Sequence, residues 1–366
     1  MDNAFFYHIE YELSPKSLQR VCAGSEEGVL TVIRIKPYTA LPAHDEIERL
    51  YLKLVARALP FEEKDMAGDD NPFPVGLFDE KKSKAGSPPD PKTSREIIQK
   101  YSPTLYRFLF DCSKKLKRDS LHKLLFSPMD EDSLKQNGLD AVIKAADQNR
   151  AIPLSSVFSY DRFCSSSKIH SFVRMLDVEV CPYCNRSFTT TLVKGKTGGV
   201  KTRPELDHYL SKTQYPYFAL SIQNLVPSCG TCNRLKSNRD DRILYPYGEA
   251  MGDRYRFETQ AKEDISYVMG ARVDFDLKLV PHGELDGGFQ TRAENAKQIL
   301  GLEELYRQAH QAFVSDIFFQ RYVFTDELLQ DAAAGASDNF STVIGGITTI
   351  YRHCCTDATT YSGMKY

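Results

Sequence analysis

Two short cysteine turns, Cys181-Pro-Tyr-Cys184 and Cys229-Gly-Thr-Cys232, carry the clearest chemical spacing in the chain. A CxxC turn offers two thiolates to one ion, and two such turns complete the tetrahedron that zinc prefers. A closed four-cysteine shell has no open position for a substrate, so its expected role is structural. The 44 residues between Cys184 and Cys229 exceed the gap in ribbons and fingers. They hold an Asp207-His208 pair and Asn224, and Asn233 follows directly after Cys232. The other five of the nine cysteines give no such pattern: Cys22, Cys112 and Cys164 are scattered, and Cys354 and Cys355 are adjacent, poor geometry for one metal. Clustered cysteines in a reducing compartment read as metal ligands before disulfides.

The stretch 181–239, with Pro204-Glu205-Leu206-Asp207-His208-Tyr209-Leu210-Ser211-Lys212, then Gln223-Asn224-Leu225-Val226-Pro227-Ser228-Cys229 and Cys232-Asn233-Arg234-Leu235-Lys236, resembles the HNH endonucleases in their four-cysteine zinc form. The resemblance implies a ββα-metal fold and a role for each matching position. His208 would be the general base that takes a proton from the attacking water, and Asp207 the carboxylate that holds a catalytic cation. Asn224 would fix the loop and so the orientation of His208, and Asn233 would be the second cation ligand. Many members have His at that last position; Asn is a neutral oxygen donor and favours Mg²⁺ or Mn²⁺ over Zn²⁺ there. The chemistry is coherent, because phosphodiester hydrolysis needs an activated water, a cation on the phosphate oxygens and rigid placement. Adjacent side chains on a strand face opposite ways, so the strand carrying Asp207 and His208 is expected to end near them.

Within the family, Cys-Pro-Tyr-Cys, Glu-Leu-Asp-His-Tyr-Leu-Ser-Lys, Tyr-Pro-Tyr-Phe-Ala-Leu-Ser and Asn-Leu-Val-Pro-Ser-Cys are similar to the nucleases of bacterial anti-phage defence systems encoded beside an ATPase, of the Septu and retron-linked type. The run from Ala293 to Leu302 also resembles the helix after the core in that subgroup. This implies an effector held in check by an ATPase partner.

Net charge over the whole chain is only −2 and says nothing about partners. Locally it does: residues 181–242 carry ten Lys or Arg against four acids, while the remainder sums to −8. Such an excess suits a polyanion. Lys212, Arg234, Lys236 and Arg239 are the expected phosphate contacts, with DNA favoured and RNA the other candidate. Tyr209, Tyr215 and Tyr217 could stack on bases, though Phe218 reads as core. Backbone recognition is expected, not base readout.

The elements that must position these residues are less distinct. Length predicts two or three domains: a mixed, mainly helical accessory region over 1–160 with a linker near 62–95, the zinc-bearing nuclease unit over 165–250, and a strand-plus-helix region over 251–366. Strands are expected at 4–12 and 29–37, and helices at 44–58, 96–127 and 133–149. A helix and short strand should cover 165–180, leading into a hairpin after Cys184. A helix should span 228–240 with its cap at Pro227-Ser228. Strands at 266–269 and 272–280 and a long helix over 291–331 complete the reading. The fold class is thus α+β, an HNH core flanked by mainly helical regions.

Composition is that of an ordinary globular protein, 42% apolar and 26% charged. No run approaches a membrane span, and residues 1–8 lack a basic stretch before an apolar one, against a secretory signal. A cytoplasmic location is expected. Two rival readings need fewer of these features: a zinc-stabilised nucleic-acid-binding module without catalysis, which requires the basic excess but not Asp207, His208 and Asn224, and a scaffold component whose knuckles are purely structural.

Overall fold

The computed structural model describes residues 33–67, 72–79, 89–145, 151–193, 200–239, 241–261 and 275–308. The strand expected at 4–12, residues 29–32 of the one at 29–37 and the segment 266–269 lie outside these residues, as do Cys22, Lys194, Lys196, Cys354 and Cys355. Residues 33–37 are not in a strand.

Helix α1 (His44–Ala58) opens with Asp45 and Glu46 at its positive end and closes with Arg57 at its negative end. It buries Ile47, Tyr51, Leu54, Val55 and Ala58 along one stripe. The expected linker is only partly irregular. It contains a two-residue strand, β1 (Met66–Ala67), which pairs in parallel with β2 (Leu116–Lys117), and it buries Phe73, Leu77 and Phe78.

The helical periodicity expected over 96–127 resolves into three helices, α2 (Pro91–Tyr101), α3 (Pro103–Leu109) and α4 (Arg118–Phe126). Asp90 caps the first, accepting from the backbone N–H of Lys92 and Thr93, and Pro91 fills the position where no amide donor is needed. Pro103 breaks the run, forcing Ser102 out of the helical region to φ −150° and ψ 79°. The helix expected over 133–149 is likewise split into α5 (Glu131–Gln136) and α6 (Asp140–Lys144) by Gly138 at φ +71°. Helices α7 (Ala151–Val157), α8 (Tyr160–Cys164) and α9 (Ile169–Met175) lead to the first knuckle.

Among the described residues, four small two-stranded sheets punctuate the helices. The hairpin after Cys184 reduces to β3 (Leu192–Val193) against β4 (Val200–Thr202). Strand β5 (Glu205–His208) pairs antiparallel with β6 (Leu225–Ser228), and α10 (Gly230–Lys236) follows at once. Its cap is not Ser228: Cys229 takes that position, its sulfur accepting from the Cys232 N–H at 3.4 Å. Further on, β7 (Tyr255–Ala261) and β8 (Phe275–Pro281) form a seven-residue ladder. Helix α11 (Gly287–Ile299) is capped by Asp286. Gly301, at φ +58°, separates it from helical residues 302–308, so the long helix expected from 291 is interrupted.

One buried cluster runs from Ile35 to Leu302 without a break at residue 160 or 250. Its polar stitching matters for the site. The loop over 216–224 lies on the helices of the first half: Tyr51 Oη donates to the Leu220 carbonyl at 2.5 Å, Ser221 Oγ to Leu124 at 2.5 Å, and Gln223 Nε2 to Phe126 at 3.0 Å. Among the described residues no helix is long and apolar enough to cross a membrane.

Candidate metal centre and adjoining cleft

The fold brings all four knuckle cysteines together. One sulfur from each of Cys181, Cys184, Cys229 and Cys232 lies within 4.8 Å of the others, and Cys181, Cys184 and Cys232 are fully buried. A tetrahedral Zn–S shell at about 2.3 Å has sulfur–sulfur edges of roughly 3.8 Å, so the cluster fits a metal ion such as zinc after small adjustments. Asn185, at φ +44°, turns the chain out of the first knuckle, and the Asn185 N–H donates to the Cys181 carbonyl at 2.8 Å. Tyr306, from beyond Gly301, donates to the Cys184 carbonyl at 2.6 Å. Mutual hydrogen bonding drives the Cys229 and Cys184 thiols down, the latter to about 6, and pushes Cys181 and Cys232 up. A shared cation removes that competition by taking all four as thiolates. Among the described cysteines, Cys112 and Cys164 stand apart from this cluster.

Strand β5 ends at His208, with Asp207 just before it. The pleat sends their side chains apart. The Asp207 carboxylate meets Tyr183 and Lys236, whereas the His208 ring meets Tyr160 and the Ala219 carbonyl. Both residues nevertheless line one cleft of about 500 Å³, together with Glu205, Asn233, Arg203 and Lys212.

His208 is buried, and desolvation pushes its imidazole down to about 3, opposed only in part by the Ala219 hydrogen bond. The ring is therefore neutral. A carbonyl can only accept, so Nε2, 3.0 Å from Ala219 O, must carry the single proton. The lone pair is left on Nδ1, in a ring that lines the cleft. Tyr160 packs edge-on against the imidazole at 4.6 Å, and Lys212 Nζ stands 4.7 Å over the centre of the tyrosine ring.

Asn224 is fully buried and tied on both sides of its amide. Its Oδ1 accepts from the Leu210 N–H at 2.7 Å, and its Nδ2 donates to the carbonyls of Leu210 (3.1 Å) and Phe218 (3.0 Å). Phe218 precedes Ala219, so Asn224 holds the turn whose next carbonyl orients His208.

Asn233 is half-buried at the cleft, and its Nδ2 donates to Glu205 Oε2 at 2.6 Å. Its amide oxygen is thereby the atom left for a cation. Asp207 is 4% exposed; Tyr183 Oη donates to Oδ2 at 2.6 Å, and Lys236 Nζ lies 3.0 Å from Oδ2 and 3.3 Å from Oδ1. Burial first, and the neighbouring carboxylate second, push the Tyr183 phenol well above its ordinary range, so it stays a donor. With Tyr183 and Lys236 both on Oδ2, the less engaged Oδ1 keeps acceptor capacity. Glu205, Asp207 and Asn233 all line the cleft, and carboxylate and amide oxygens are donors that a hard divalent ion takes.

No family model, curated protein or solved structure matches the chain.

The basic residues divide. Lys212, Arg234 and Arg239 are exposed, and Lys212 lines the cleft. Lys236 does not belong with them. It is 4% exposed, and its ammonium is spent on Asp207 and on the His208 carbonyl at 2.6 Å, so it is withdrawn from phosphate contact. Charge counting treats every lysine as a surface group; the signal against it was position. Lys236 follows Cys232 by four residues, one helical turn, which puts it on the same inward face. Tyr209 and Tyr217 are buried and donate to backbone carbonyls, Tyr209 to Ile243 and Tyr217 to Val142, so neither is a stacking platform; Tyr215 is half-buried. Tyr160, Tyr183 and Glu205 are site residues that sequence reasoning passed over. Glu205 could have been found from its i, i+2 relation to Asp207 on a strand.

Proposed function

We propose that the chain is a divalent-metal-dependent endonuclease of the HNH type. The observation that carries the reading is the state of His208: a buried neutral imidazole that lines a cleft shared with Asp207 and Asn233 and whose Nε2 is committed to Ala219, so that its lone pair is on Nδ1. The order β5, β6, α10, with a cysteine knuckle at each end of the insertion, supports it.

His208 Nδ1 takes a proton from a water whose oxygen attacks phosphorus. The bond from phosphorus to the leaving oxygen breaks, and that oxygen is protonated from solvent. Ala219, whose turn Asn224 holds, keeps the ring in the tautomer whose acceptor nitrogen is Nδ1. Asp207 and Asn233 would hold Mg²⁺ or Mn²⁺, which would neutralise charge on the non-bridging and leaving oxygens. Lys212, Arg203 and the exposed Arg234 and Arg239 would neutralise neighbouring phosphates, without reading bases. DNA is the favoured substrate.

The test is incubation of supercoiled plasmid and of a long RNA with the purified protein in Mg²⁺ or Mn²⁺. Nicking or linearisation that requires the divalent ion supports the reading. The defence role and an ATPase partner rest on the motif resemblance; copurification from the native host would supply or remove that partner, and cleavage should be assayed with it present.

A further inference from the structure

We propose that Tyr183 and Lys236 are positioning residues through which the two cysteine knuckles set the place of Asp207 and of the His208 backbone. The catalytic consequence rests on the nuclease reading above; the geometry does not.

Each knuckle sends one side chain to the same carboxylate. Tyr183 sits inside the first knuckle, between Cys181 and Cys184, and donates to Asp207 Oδ2 at 2.6 Å. Lys236 lies one helical turn past Cys232 of the second knuckle, on α10. Its Nζ reaches both oxygens of Asp207, at 3.0 and 3.3 Å, and the His208 carbonyl at 2.6 Å. An ammonium has three N–H donors, and these three contacts use them. Lys236 thus ties the end of β5 at two successive residues. All three side chains are buried.

The arrangement answers a mechanical problem. Cysteines that close a metal shell cannot touch the substrate, and Asp207 and His208, which would act on it, sit on β5, a different element. Tyr183 and Lys236 span that gap. Were the metal shell to loosen, both anchors of Asp207 would move with the knuckles that carry them, and a buried carboxylate would lose its partners. A ligand set displaced by about 1 Å costs on the order of a hundredfold in rate.

The experiment uses Tyr183→Phe, which removes one hydroxyl from a ring that still packs, and Lys236→Met, which removes the ammonium from a stem of similar length. Five quantities are read on the full chain: zinc per chain, DNA Kd, Mn²⁺ affinity, single-turnover cleavage rate with its Mg²⁺ dependence, and the His208 imidazole signal in histidine ¹⁵N NMR, identified by its loss in His208→Gln. We expect Tyr183→Phe to keep its zinc and to bind DNA within twofold of wild type. Its rate should fall roughly ten- to a hundredfold with a raised Mg²⁺ requirement. Lys236→Met should show the same pattern and a displaced His208 signal. The proposal is overturned if both variants, at full zinc occupancy, match wild type in rate and in His208 signal, or if rate falls only in step with zinc. Should Lys236→Met fail to fold, Tyr183→Phe decides by rate and Mg²⁺ dependence. Should wild type cleave nothing, the nuclease reading fails by itself, and an unmoved His208 signal in Lys236→Met, or an unmoved Mn²⁺ affinity in Tyr183→Phe, overturns the positioning.

Discussion

The Nε2 atom of His208 lies 3.0 Å from the carbonyl oxygen of Ala219, and that contact decides which nitrogen carries the proton. Ala219 has no reactive side chain. Its carbonyl matters because Asn224 pins the preceding residue and the helices of the first half seat the loop.

The first prediction concerns pH. The His208 imidazole is held at about 3 against an ordinary 6.5. Above pH 6.5 the ring is neutral whether folded or not. Below it, the unfolded chain takes a proton that the folded chain refuses, so stability falls as pH drops from 6.5 toward 3. Denaturant unfolding at pH 7.5 and pH 4.5 should show this loss in wild type and a smaller loss in His208→Gln. Equal losses would mean the ring is not buried neutral. Cleavage, for the same reason, should show no acid limb near pH 6.5 from this residue.

Asn224→Asp provides an isosteric test of the loop. The oxygen replacing Nδ2 would face the carbonyls of Leu210 and Phe218 instead of donating to them. Losing these buried hydrogen bonds and adding a charge should cost about 3 kcal/mol or more, read as a lowered denaturant midpoint. A variant as stable as wild type would remove Asn224 from its assigned task.

Metal removal should act on folding before it acts on rate. About one tightly held zinc per chain is expected. Cys229→Ser should lose that zinc together with cooperative unfolding, because it removes a ligand of the shell while a serine oxygen can still cap α10, so the loss is the metal's. A Cys229→Ser protein that is folded, metal-free and merely slower would contradict the structural assignment.

Salt dependence separates the lysines. Lys212→Ala, at an exposed residue lining the cleft, should weaken DNA binding and lower the slope of log Kd against log salt by about one. Lys236→Met, at a buried residue, should leave that slope unchanged.

Residues that act through spacing were legible in the sequence. The two CxxC turns announced a shared ion, and the Asp207-His208 neighbourhood announced a strand end, found at His208. Helices were legible where an apolar stripe ran with acids in the first turn and a base in the last, as in α1. They were misjudged where a local breaker outweighed periodicity: Pro103, Gly138 and Gly301 each cut a run that reads as continuous. The partners of the site residues were the least legible. Ala219 contributes a backbone oxygen, which no residue type marks. Lys236 looks like its exposed neighbours until the fold turns it inward, and Tyr160 reaches the cleft from a helix far back in the chain.

The most direct test of the account is plasmid cleavage by wild type and by His208→Ala, side by side in Mg²⁺ and in Mn²⁺, with zinc content and DNA affinity measured on both. The account predicts divalent-dependent cleavage by wild type and a loss of about 10²- to 10⁴-fold in His208→Ala, with zinc and DNA binding retained. Equal cleavage by the two proteins, or none by wild type under any of these conditions with its partner supplied, would contradict it.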